Sequence, residues 1–144
     1  MMRTVLAVAA LALAVAAANA QDPIAARKAL MKSTGGQAAQ GAKFMKGEEA
    51  FDLAKAQAIF AQYQKTSAEA PTLFPESAKT GGETAALPAI WEKKADFDAR
   101  LTKLGADAKD AAGKVKDLDS FKAVFSEVQK NCGGCHESYR AKKS

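Results

Sequence analysis

The sequence predicts an all-α protein, an antiparallel four-helix bundle, on three observations. Apolar residues recur at helical spacing through most of the chain, no run has the alternating β-branched character of a strand, and Pro and Gly gather in one internal stretch. The first helix opens at Asp22-Pro23, a capping carboxylate followed by a proline whose missing N–H is not needed there. It ends near Lys46-Gly47, and Ile24, Met31, Ala38 and Met45 recur along it every seven residues. A second helix runs from about Glu49 to Ala70, with Leu53, Ala56, Phe60 and Tyr63 on one face. Pro71 to Pro88, punctuated by Pro75, Gly81 and Gly82, is the one long connection. The third helix places Ile90, Phe97, Leu101, Leu104, Ala108, Ala111 and Val115 on one face. Capping residues at Asp117 to Ser120 then precede a fourth, with Phe121, Phe125, Val128, Cys132, Cys135 and Tyr139 at intervals of 4, 3, 4, 3 and 4. Alanine is frequent and bulky aliphatic residues are few, so the core reads as under-filled; a buried cofactor would supply the missing apolar volume.

The chain has 144 residues, enough for one domain, and 21 basic against 16 acidic residues. That excess is small and interspersed with acids, which argues against a nucleic-acid partner. The basic end at Arg140, Lys142 and Lys143 complements the dipole of a terminal helix. With two cysteines and one histidine in all, the chain excludes multi-ligand zinc sites, a disulfide scaffold and any catalytic plan needing two histidines. No general acid–base pair stands out, and no enzyme is expected. Residues 1–20 combine Arg3, an apolar run from Val5 to Ala18 and the small-x-small ending Ala18-Asn19-Ala20. These are the parts of a cleaved bacterial secretory signal; the apolar run is shorter than the roughly 20 residues a membrane span needs. The expected mature domain is 21–144, periplasmic and without a membrane span.

Cys132-Gly133-Gly134-Cys135-His136 is C-x-x-C-H, the attachment pattern of c-type haem. Two thiols three positions apart on a helix reach the two vinyl groups on one porphyrin edge, and the next residue offers an imidazole to the iron. The two glycines leave room where the macrocycle crosses the backbone. A dithiol redox site would sit at a helix start beside a βαβ sheet, and no strand is evident. Half a zinc site would have only three ligands. Export agrees with haem c, which is attached outside the bacterial cytoplasm. Because Cys132 and Cys135 share a stripe with Phe125, Val128 and Tyr139, one haem c per chain is expected inside the bundle, near the C-terminal end of the last helix. His136, the only histidine, is its expected proximal iron ligand.

The chain resembles the class II c-type cytochromes: the cytochrome c′ group and its low-spin relatives. The resemblance spans essentially 21–144. It is carried by Arg27-Lys28-Ala29-Leu30-Met31-Lys32, Leu73-Phe74-Pro75, Thr80-Gly81-Gly82, Leu87-Pro88-Ala89-Ile90-Trp91, and Cys132 to His136 with Tyr139-Arg140. It implies that Met31 projects over the distal haem face, that Arg27 lies near a haem propionate, and that Arg140 flanks the proximal pocket. Phe74 and Trp91 are either neighbours of the haem or plain core. Met31 and Met45 are the only methionines after residue 20, about 21 Å apart by helical rise, so both cannot reach one iron. With Met31 as sixth ligand the protein is a one-electron carrier serving a periplasmic redox partner. With Met31 only packing there, the iron is five-coordinate and open to NO or CO. The resemblance also implies a homodimer through the first two helices.

Overall fold

The computed structural model describes residues 22–142; the expected signal segment 1–20 lies outside them. Four long helices form the body: α1 (Pro23–Lys46), α2 (Leu53–Glu69), α4 (Lys94–Lys114) and α5 (Leu118–Tyr139). A single helical turn, α3 (Ala89–Glu92), precedes α4. The expected third helix is therefore broken once, at Lys93, whose backbone (φ −124°, ψ 42°) leaves the helical region. The second helix starts later than expected, because the Asp52 carboxylate accepts from the Lys55 N–H and caps it there. Asp117 and Ser120 form a reciprocal capping box at the start of α5. At the end of α1 Gly47, in the left-handed region at φ 71°, sends its N–H back to the Phe44 carbonyl at 3.2 Å.

Contacts between helices fix the directions. Thr34 of α1 meets Thr66 of α2, and Phe44 meets Phe51, so these helices are antiparallel. Gln57 of α2 donates to the Ala112 carbonyl at 2.9 Å while Lys94 reaches that of Pro71, which makes α2 and α4 antiparallel as well. Arg100 meets Gly134 and Asn131 meets Asp107 at 2.8 Å, and α5 runs back along α4. The result is an up-down-up-down bundle. α2 and α4 pack most extensively; α1 and α5 are neighbours that touch sparsely.

The core divides into two clusters. One is dense and aromatic: Phe44, Phe60, Tyr63, Phe121 and Phe125 of α1, α2 and α5 surround Leu104, Ala108 and Ala111 of α4. Phe121 stacks on Phe125 at 4.9 Å and meets Phe44 edge-on at 5.6 Å. The other gathers Leu30, Phe74, Ile90, Phe97, Leu101 and Tyr139 at the far end. The seven-residue stripe expected on α1 is displaced: its buried residues are Ile24, Arg27, Leu30, Thr34, Gly41 and Phe44, while Met31, Ala38 and Met45 are only partly buried. Leu53, expected on the inner face of α2, is 43% exposed at the first residue of the helix.

The long connection is tied down twice. Arg27, only 4% exposed, donates from Nη1 to the Leu73 and Ala78 carbonyls, each at 3.2 Å, and from Nη2 to Ala78 O at 3.1 Å and Thr84 Oγ1 at 2.8 Å. Its guanidinium also lies over the Phe74 ring at 4.7 Å. Residues 85–87 then run antiparallel to 139–141: the Leu87 N–H donates to Tyr139 O at 3.0 Å and that of Ala141 to Ala85 O at 2.8 Å.

Two substitutions test this packing. A methyl at Gly41 would stand 2.3 Å from the Phe125 ring, so Gly41→Ala should destabilise by about 1–3 kcal/mol despite its better helix propensity; the readout is a lower urea midpoint at unchanged slope. Arg27→Leu strips the buried Ala78 carbonyl and the half-buried Leu73 carbonyl of their donor and should cost on the order of 2–4 kcal/mol. Its specific signature is faster amide exchange of residues 73–87, with α2 and α4 unaffected.

Candidate haem site

The sparse seam between α1 and α5 is where the sequence-predicted residues converge. An apolar cavity of about 160 Å³ is lined by Met31 of α1, Phe74 and Ala86 of the connection, Phe97 and Leu101 of α4, and Cys135 and His136 of α5. A smaller inner cavity of about 40 Å³ shares Met31, Leu101, Cys135 and His136 with it and adds Cys132. Met31 thus faces the same space as the C-x-x-C-H segment, from the opposite helix. Met45 does not, since it packs against the aromatic cluster at the other end of α1. Phe74 is part of the wall, whereas Trp91 stands behind it, 6.0 Å ring to ring, with its indole N–H on the Pro75 carbonyl at 3.1 Å.

Arg27, Lys28 and Arg140 line the larger cavity and no carboxylate does. Its walls are therefore apolar and its fixed charge is positive, which suits a flat apolar group with acidic substituents. Arg27 has a further task that sequence spacing could not reveal, because its partners lie about fifty residues away in the chain. Four of its five N–H groups hold the connection, leaving only Nε–H uncommitted. Burial lowers its pKa, with Asp22 opposing. The cation nevertheless persists, since a guanidinium does not lose its proton in proteins.

The donor set fits a c-type haem. Cys132 and Cys135 are unpaired, half-buried thiols one helical turn apart. Burial pushes both upward in pKa, with the Arg100 cation opposing at Cys135. This is the reverse of the depressed values that make C-x-x-C dithiols reactive. Burial, reinforced by Arg140, lowers the pKa of His136, so its imidazole is neutral near pH 7 and can offer a lone pair. At Gly133 and Gly134 nothing lies within 4 Å of where a Cβ would stand, so the backbone can be approached closely there. The cavities are smaller than a porphyrin, but they lie along the sparsely packed α1–α5 seam, whose walls include a flexible methionine. No group of three or more His, Cys, Asp and Glu residues among the described ones offers a competing metal site.

Sequence spacing gave no hint of two further features. Arg100 donates to the Gly134 carbonyl at 2.9 Å, inside the motif, and lines the inner cavity. Thr34 and Thr66, buried and with their hydroxyl oxygens 2.7 Å apart, also line that cavity. Both depend on helix register rather than on local spacing.

Known proteins share this fold. The sequence model of the family described as Cytochrome C' matches residues 22–140. A cytochrome c′ of Rhodopseudomonas palustris is 48% identical over 123 residues, covering 85% of this chain and 84% of that protein. A cytochrome c-556 from the same organism is 34% identical over 148 aligned residues, covering 99% of each. The solved structure of cytochrome c′ from Rhodopseudomonas palustris superposes with a TM-score of 0.83, covering 85% of this chain and 98% of that one. With the helix order, the seam and the C-x-x-C-H segment in place, this chain belongs to the cytochrome c′ family, the class II c-type cytochromes, whose members carry covalently bound haem c with iron.

Proposed function

We propose that this protein is a periplasmic one-electron carrier in which Cys132 and Cys135 hold the haem through thioether links, His136 is the proximal iron ligand and Met31 the sixth. The observation that carries the proposal is the convergence of Met31, from α1, and His136, from α5, on the same two cavities. The bound haem supplies the Fe(III)/Fe(II) couple; the chain supplies ligation, burial and charge. The neutral His136 imidazole and the soft Met31 thioether favour the ferrous state over a water-ligated one. Arg27, beneath the connection, and Arg140, beside the motif, add positive charge that balances acidic groups on the haem edge. The apolar walls of Phe74, Phe97 and Leu101 exclude water and lower the reorganisation that electron transfer requires. Export follows from the signal at 1–20, and no described helix is long and apolar enough to cross a membrane.

A five-coordinate site open to NO or CO is the second reading. It draws support from the higher identity to a relative named cytochrome c′ than to one named cytochrome c-556. Absorption spectra of the ferrous holoprotein with and without CO separate the two. The expected result is sharp low-spin bands unmoved by CO in the wild type, and a high-spin, CO-binding form of Met31→Leu. A wild type that takes up CO, or a Met31→Leu spectrum identical to it, would remove Met31 from the iron.

A further inference from the structure

The turn of α5 that carries the motif is its weakest stretch. Gly133 and Gly134 are the poorest helix formers short of proline, and no atom of a neighbouring element lies within 4 Å of where their Cβ atoms would be. A side chain from another helix does hydrogen-bond to the backbone of this turn. Arg100 of α4 donates from Nη1 to the Gly134 carbonyl at 2.9 Å, and from Nε to Asp96 Oδ2 at 2.8 Å. The same Asp96 oxygen accepts the Tyr139 hydroxyl, and the guanidinium carbon lies 5.4 Å from the centre of the Tyr139 ring. Two residues one turn apart on α4 thus grip α5 at 134 and at 139, on either side of His136.

We propose that Arg100 is a positioning residue for the haem: braced by Asp96, it fixes the turn from Gly134 to Tyr139 against α4 and so sets how Cys135 and His136 face the cavity. This rests on the haem being held at Cys132, Cys135 and His136. Arg100 also lines the inner cavity beside Cys132, Cys135 and His136, so its charge is felt at the iron. The ion pair with Asp96 makes the local charge neutral as built. Removing the guanidinium leaves a lone carboxylate near the site, which favours the ferric state. Substituting lysine keeps the charge, but one ammonium lacks the planar fork that serves Asp96 and the Gly134 carbonyl together.

Arg100→Gln and Arg100→Lys holoproteins should be compared with the wild type by intact mass, Soret circular dichroism and reduction potential. The Arg100 side chain is 38% exposed, so neither change opens a hole in the core. The expected pattern has haem retained in all three. Arg100→Gln has an altered Soret dichroism band and a lower potential. Arg100→Lys recovers most of the potential but keeps the altered band. A role limited to stability would move neither the band nor the potential. Haem-bearing wild type and Arg100→Gln that coincide in both would overturn this proposal alone. A wild type without covalent haem by mass would overturn the attachment on which it rests as well.

Discussion

The seam between α1 and α5 governs the rest of this structure. α2 and α4 close on each other along most of their lengths, helped by Gly105, where a Cβ would stand 2.3 Å from the Ser67 hydroxyl oxygen. α1 approaches α5 closely at Gly41, where the Phe125 ring fills the place of a side chain. Towards the other end the two helices part, and the space between them is apolar and bounded by two thiols, an imidazole and a thioether. A bundle rich in alanine can leave such a space only because its other end is packed with aromatic rings that hold all four helices in register. Stability and function are divided along the length of the same helices.

Holding the seam open at one end requires a wall that does not belong to the bundle. The connection between α2 and α4 supplies it through Phe74, Thr84 and Ala86. A loop of this length would ordinarily be mobile. Here a buried guanidinium satisfies two of its carbonyls, and residues 85–87 pair with the backbone just beyond α5. The C-terminal pairing begins at Tyr139, three residues after His136. The wall and the proposed iron ligand are thus anchored to the same stretch of chain. The cation proposed to face an acidic haem edge, Arg27, is also the one that ties down the wall.

Much of this was legible in the sequence because it is periodic or local. The 4-3-4-3-4 spacing of α5 puts Phe121, Phe125, Val128 and Tyr139 in the core, as the structure has them, and puts Cys132 and Cys135 on the same stripe, where the structure leaves both only half-buried. The resemblance placed Met31 over the site, although the heptad that includes it is not the buried stripe of α1. That stripe is shifted towards Leu30, Thr34 and Phe44, because two small or polar residues, Thr34 and Gly41, meet Thr66 and Phe125 of neighbouring helices, and hydrophobicity does not mark them. The break at Lys93 was missed because Ile90 and Phe97 keep helical spacing across it. Arg100, Asp96 and the second task of Arg27 were invisible for one reason: each depends on which residues of distant segments fall side by side, and that is set by register, not by composition.

The central claim is that the C-x-x-C-H turn carries a covalent haem at the edge of this seam. It is tested most directly by mass spectrometry of the tryptic peptide 131–140 from protein exported in a host with the haem-attachment machinery. The account predicts that this peptide carries the mass of one haem after acid denaturation and solvent extraction, with neither cysteine open to alkylation. Recovery of the bare peptide with both Cys132 and Cys135 alkylated would contradict it.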